Sequence, residues 1–232
     1  MSAPSALSLD LDDTLWPVAP AIAQAEQCLH RWFEDHLPAV AAAWPPPALR
    51  ALRERIALHC PELAHDFTAQ RRLALAHALR ASGADETHAG AAFEVFFAAR
   101  NAVCCYPDVP AALVRLSARL PLASLSNGNA DLGRVGLAAH FRVCVTAREV
   151  GALKPDARIF IALCRRLHCA PAQVLHAGDD PVLDVEGARQ VGLRAAWINR
   201  EGRAWPGPGP APELVFADLQ ALAAWCERQR AA

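Results

Sequence analysis

No stretch of this 232-residue chain approaches the roughly 18 uncharged apolar residues that a membrane-spanning helix needs, and Met1 to Ala6 show no basic stretch leading into a long apolar run. We therefore expect a soluble, cytoplasmic protein with no membrane partner. An excess of one charge is also lacking. Lys and Arg number 23 against 24 Asp and Glu, a formal net charge of -1, so there is no electrostatic footprint for nucleic acid and a small-molecule partner is favoured. Internal repeats are absent. The eight cysteines form no Cys-x-x-Cys pair. Cys28, Cys164 and Cys226 fall in helix-like patterns as small apolar residues, and adjacent Cys104 and Cys105 have no cationic cluster beside them, so all eight read as reduced thiols.

What is present is an interrupted α/β pattern. The apolar run 6–11 ends abruptly in Asp10, Asp12, Asp13 and Thr14, as a buried strand does at a polar edge. Residues 19–103 are rich in Ala, Leu, Arg and His at spacings of three and four, broken by Trp44-Pro45-Pro46-Pro47 and Ser82-Gly83, and predict about four helices with no strand. After Tyr106-Pro107, helices such as 109–119 alternate with apolar runs at 122–125, 143–146, 174–177 and 195–198. The run Trp205 to Pro212 reads as a surface loop, 214–216 as a last strand, and 218–228 as a capped helix with a frayed tail. The fold class is then an α/β parallel sheet flanked by helices, residues 1–16 and 105–232, with an inserted all-helical domain, 17–104, placed to act as a lid.

Four features carry chemistry. Alternation along a strand puts Asp10 and Asp12 on one side, and two close carboxylates persist where a cation neutralises them or one holds a proton. Ser126-Asn127-Gly128 offers a hydroxyl and an amide at a strand end. Lys154-Pro155 precedes a helix over 156–167, where a cation does not complement the dipole and makes sense facing an anion. His176-Ala177-Gly178-Asp179-Asp180 with Asp184 brings further carboxylates to a strand end, though helix capping alone accounts for Asp180. Taken singly, each is also compatible with a solvated turn or cap. Their coincidence at strand carboxyl ends, where open parallel sheets bind ligands, points to one site.

In this order, Asp10-Leu11-Asp12-Asp13-Thr14, Ser126-Asn127-Gly128, Lys154-Pro155 and Gly178-Asp179 with Asp184 resemble the four motifs of haloacid dehalogenase superfamily hydrolases, and the insertion resembles that superfamily's helical cap. The resemblance implies a Rossmann-like core and a magnesium-dependent phosphatase. Asp10 would be the nucleophile and Asp12 the general acid and base. Ser126 and Lys154 would bind phosphate with Thr14, Asn127 and Gly128. Asp10, the Asp12 region through its backbone, and Asp179 would hold Mg2+, with Asp184 and Asp180 in support. Dehalogenases of the superfamily attack carbon without a metal and lack an acid at the position of Asp12. Ser126 replaces a more frequent threonine, and Asp108 stands where glycine is usual, a departure expected to affect only a turn.

Residues 9–16, the run from His59 to Thr68, 126–130 and 175–180 are further similar to bacterial phosphatases of flavin mononucleotide and of the ribitylaminouracil phosphate of riboflavin biosynthesis. The expected substrate is a small phosphorylated metabolite of that kind, for a monomer or homodimer. A sugar-phosphate, phosphoglycolate or nucleotide phosphatase, or a phosphomutase, shares the same residues. A regulatory binding protein on a retired core is the non-enzyme alternative and predicts a missing catalytic residue. Trp16, Arg71 and Arg72 are candidates for contact with the leaving group, set against ordinary packing.

Overall fold

Ala6–Leu9 forms the first strand, β1, buried at all four positions, as an apolar run covered on both faces should be. It ends before Asp10 because the chain then turns: Asp13 adopts a φ of 59° and the Leu15 N–H bonds to the Leu11 carbonyl. The computed structural model describes residues 3–231. The remaining strands are β2 (Leu122–Ser126), β3 (Val143–Thr146), β4 (Val174–Gly178), β5 (Arg194–Ile198) and β6 (Leu214–Phe216). They form one six-stranded sheet in the order β3-β2-β1-β4-β5-β6, with every pairing parallel. Each strand lies within two residues of its sequence prediction.

The chain divides into two compact units. The helical unit carries α1 (Val18–His36), α2 (Pro38–Ala43), α3 (Pro46–His59), α4 (Phe67–Ala81) and α5 (His88–Arg100). The fifth helix beyond the four expected is the six-residue α2, which stops at Trp44 before the proline triplet; Pro46 then opens α3, where a missing N–H costs nothing. Phe33, Leu75, Phe93 and Phe96 form its core with less than 3% exposure each. Arg71 and Arg72 place their guanidinium groups 3.6 and 4.5 Å from the Phe96 and Phe93 ring centroids, so packing occupies both. Asn129–Val135, containing the short helix α7 (Leu132–Val135), belongs to this unit too, tied in by the Asp131 N–H bond to Asn101 Oδ1 at 2.7 Å.

The α/β unit completes its layers with α6 (Val109–Ser117), α8 (Ala147–Val150), α9 (Ala157–Leu167), α10 (Gly187–Gln190) and α11 (Leu219–Ala231). Ile159, Phe160 and Leu163 of α9 are fully buried against the sheet; the apolar stripe at a spacing of three and four explains why this stretch is a helix and why it lies there. The helix predicted over 156–167 opens one residue later, at Ala157: Asp156 is its cap, accepting from the Arg158 N–H at 2.8 Å. On the other face α6 packs on α11, joined by Arg115 and Glu227 at 2.7 Å. Asp218 caps α11, which runs through Ala231 where fraying was expected after Glu227; Ala232 lies outside the described residues. The proline-rich loop is held by Trp205, whose ring meets Trp197 edge-on at 5.2 Å and whose indole N–H bonds to the Gly209 carbonyl. Among the described residues no disulfide bond is formed and no helix is long and apolar enough to cross a membrane.

Candidate active site

The strand order reverses direction between β1 and β4, the place where open α/β sheets bind ligands beyond their carboxyl ends. The register there is Leu9 beside Ala177, and the Asp10 N–H bonds to the Ala177 carbonyl at 3.0 Å, so Asp10 leaves β1 level with Gly178 and Asp179 at the end of β4. Ser126 is the last residue of β2. Lys154 reaches the same edge from the segment between α8 and α9.

Lys154 is the centre of the arrangement. Its Nζ donates to Asp10 Oδ1 at 2.5 Å and to Asp184 Oδ1 at 2.6 Å, and all three residues are at most 6% exposed. Asp184 Oδ1 also pairs with His176 Nε2 at 3.0 Å, while its Oδ2 accepts the Asp180 N–H at 3.0 Å. His176 Nδ1 meets Ser8 Oγ at 3.0 Å, from the neighbouring position in the sheet. Gly178 is required here: a β-carbon at that residue would land inside the Asp184 carboxylate. Asn127 clamps the Lys154 backbone from both sides, accepting its N–H at 2.7 Å and donating to its carbonyl at 3.1 Å.

Asp10, Asp179 and Asp184 each present a carboxylate oxygen within 4.8 Å of the others. Burial raises the Asp10 pKa well above the usual range, with Lys154 opposing and Asp184 and Asp179 adding. Asp179 is pushed up to about 7, first by burial and then by Asp184, while the Thr14 hydroxyl opposes. Burial also pushes Asp184 upward, but Lys154 and His176 outweigh it and hold that carboxyl below its usual value. Lys154 is penalised by burial yet raised by its two carboxylates, and burial lowers His176 against the opposing pull of Asp184. With all three carboxyls ionised, one ammonium would leave two negative charges uncompensated in a buried place, and the raised Asp10 and Asp179 carboxyls reflect that crowding. A divalent cation fits that deficit. Both oxygens of Asp184 are engaged, whereas among the described residues the hydrogen bonds of Asp10 and Asp179 use only Oδ1, so these two would hold a hard cation through oxygen.

Other expected residues take up positions around this cluster. The Asp12 carboxylate does not join the trio; Oδ1 accepts the indole N–H of the fully buried Trp16 at 2.8 Å. Thr14 is fully buried, and its hydroxyl donates to Asp179 Oδ1 at 2.9 Å. Ser126 Oγ accepts the Gly128 N–H at 2.9 Å. Asp180 caps the turn that follows β4, accepting from Val182 and Leu183 at 2.8 Å each, which is the capping role weighed above. Sequence reasoning passed over three residues. His176 reads as one more member of a buried strand, and only its pairing with Asp184 distinguishes it. Trp197 donates to the Asp179 carbonyl at 2.8 Å and Arg200 to the Thr14 carbonyl at 2.7 Å. Arg200 also pairs with Asp108 at 2.9 Å, so the unusual Asp108 does more than shape a turn. Only the position of Trp197 and Arg200 at the end of a predicted strand could have pointed to them.

Residues 4–192 match the profile of the haloacid dehalogenase-like hydrolases, and the chain belongs to that family. It is 32% identical to the 5-amino-6-(5-phospho-D-ribitylamino)uracil phosphatase YigB of Escherichia coli over 201 residues, 85% of this chain and 84% of that one. A phosphoserine phosphatase of Thermus thermophilus is 39% identical over 150 residues, 62% of this chain and 59% of that one. Among solved structures, a 2-haloacid dehalogenase from Pseudomonas syringae superposes with a TM-score of 0.87 at 36% identity, covering 97% of this chain and all of that one.

Proposed function

We propose that the chain is a divalent-cation-dependent phosphomonoesterase, with magnesium as the cation, acting on a small phosphorylated metabolite. The observation that carries this reading is the buried Asp10–Lys154–Asp184 cluster with Asp179 beside it and an additional carboxylate, Asp12, two residues beyond Asp10. Asp10 attacks phosphorus, the bond from phosphorus to the leaving oxygen breaks, and an aspartyl phosphate forms. Asp12, held by the Trp16 indole, gives its proton to the leaving oxygen. It then takes a proton from the water that cleaves the aspartyl phosphate, contributions typically worth about 10² to 10⁴ in rate. Ser126 and Lys154 bind the phosphoryl oxygens, Asn127 fixes Lys154, Thr14 holds Asp179, and Asp184 orients Lys154. The cation, when bound, offsets the repulsion between an anionic nucleophile and an anionic phosphate.

The family includes carbon-attacking dehalogenases, and a dehalogenase lies among the structural neighbours. The acid at Asp12 favours phosphoryl transfer, since displacement of halide needs no proton on the leaving group. The 32% relative makes the ribitylaminouracil phosphate of riboflavin biosynthesis, and flavin mononucleotide beside it, the first substrates to try. The test is release of inorganic phosphate from these and from phosphoserine, phosphoglycolate, sugar phosphates and nucleotides, with magnesium or chelator, beside Asp10→Asn; halide release from a 2-haloacid runs in parallel. Magnesium-dependent phosphate release lost in the variant supports the reading. Halide release without phosphate release overturns it.

A further inference from the structure

We infer that Arg200 is a positioning residue for Asp179, acting through Thr14, and that Asp108 holds Arg200 in place for that task. This rests on the phosphatase reading above.

Arg200 follows the end of β5, and its side chain is 16% exposed. Three bonds fix its guanidinium: Nη1 and Nη2 fork onto the two oxygens of Asp108 at 2.9 and 3.1 Å, and Nη2 also donates to the Thr14 carbonyl at 2.7 Å. The guanidinium carbon lies over the Tyr106 ring, 3.9 Å from its centroid. Asp108 is itself anchored, its Oδ2 accepting the Leu219 N–H at the start of α11 at 2.9 Å. The chain from Asp10 to Trp16 has left the sheet and turns through the left-handed Asp13, so little regular structure fixes Thr14. Yet the Thr14 hydroxyl is the side-chain donor on Asp179, a carboxylate that Asp184 repels. A guanidinium suits the task because one rigid plane satisfies a fork and a third acceptor while stacking on a ring; an ammonium cannot do all of this.

Groups that orient a metal-holding carboxylate typically alter cation affinity by about 10- to 100-fold. The test measures binding of Mn2+ by the intact protein, from the paramagnetic resonance of the free ion, in wild type, Arg200→Gln, Arg200→Lys, Thr14→Val and the Arg200→Gln/Thr14→Val double variant, with phosphate release recorded beside it. Arg200→Gln should weaken Mn2+ by about tenfold, Arg200→Lys should fail to restore it, and the double variant should be no weaker than Thr14→Val alone, because the two act in series. Multiplicative losses in the double variant, or unchanged affinity in Arg200→Gln, would overturn the inference while leaving the phosphatase reading intact. A wild-type protein that neither binds Mn2+ nor releases phosphate would overturn both. Should Arg200→Gln fold poorly, Asp108→Asn loosens the same fork while keeping an oxygen for Leu219. It should also weaken Mn2+, with no further effect in the Thr14→Val background; any other result refutes the series.

Discussion

Asp179→Asn should stabilise the cation-free protein at pH 8 while abolishing turnover. In the folded chain Asp179 is raised from 3.8 to about 7, by burial first and then by Asp184. At 1.36 kcal/mol per tenfold change, that displacement sets a ceiling of about 4 kcal/mol on the penalty for ionising it in the fold. Coulomb's law gives the same order. A carboxylate repelled across 4.8 Å costs about 3.5 kcal/mol at an effective dielectric constant of 20, and local relaxation reduces this. The sign follows from proton linkage. A carboxyl with a raised folded pKa holds its proton more tightly in the folded chain, so stability falls as pH rises from about 4 to 7 and stays low above that window. The asparagine keeps an oxygen for Thr14 and carries no charge, so its advantage should be about 2 kcal/mol at pH 8 after relaxation, or roughly 4 to 8 °C in melting temperature for a chain of this size. Thermal unfolding of both proteins in chelator at pH 8 and pH 4.5 measures it. The advantage should shrink at the lower pH. In saturating magnesium at pH 8 it should shrink again, because the cation binds the wild type better. A variant less stable than wild type in chelator at pH 8, or an advantage independent of pH, would refute the charge-crowding argument.

Gly178→Ala drives a β-carbon into the Asp184 carboxylate; overpacking of this kind costs about 1 to 3 kcal/mol, and displacing Asp184 from Lys154 should remove phosphate release even below the melting transition. Trp16→Phe keeps an aromatic ring in a fully buried position but deletes the N–H that Asp12 accepts; kcat should fall by up to about 10²-fold, the low end of what a proton-transfer group contributes, with a smaller change in KM. Phe160→Ala empties a fully buried site on the sheet and should cost about 3 to 5 kcal/mol in urea unfolding, with kcat retained at temperatures where the variant is folded.

Much of this architecture was legible because it rests on local signals. Apolar runs of three to six residues punctuated by helices gave all six strands, and the proline triplet at 45–47 marked the α2–α3 boundary even though the helix count was one short. Asp10, Ser126, Lys154 and Asp179 stand out in the sequence because each ends or follows a strand or precedes a helix. What sequence could not carry is which partner a side chain selects at long range. The Lys154–Asp10 contact spans 144 positions and that between Arg200 and Asp108 spans 92. Nothing local distinguishes a threonine facing phosphate from one spent on Asp179, or an asparagine facing solvent from one that clamps a lysine backbone.

The charge balance of the site argues further about where the cation acts. Lys154 is the obvious partner for a phosphate, but it already faces two carboxylates at 2.5 and 2.6 Å, and with Asp10, Asp179 and Asp184 all ionised the cluster would be two charges negative. A phosphate dianion brought to that edge without another positive charge would meet net repulsion in a poorly screened setting. On the phosphatase reading proposed above, the cation would therefore be needed for binding the phosphoryl group as well as for its transfer. Orthovanadate or inorganic phosphate should bind the magnesium-loaded protein and be undetectable by calorimetry in chelator. Asp179→Asn, one negative charge lighter, should recover weak cation-independent binding of the anion while remaining unable to turn over substrate. Tight anion binding by the wild type in chelator would mean that Lys154 is released from its carboxylates on ligand entry, and the electrostatic reading of this cluster would fail.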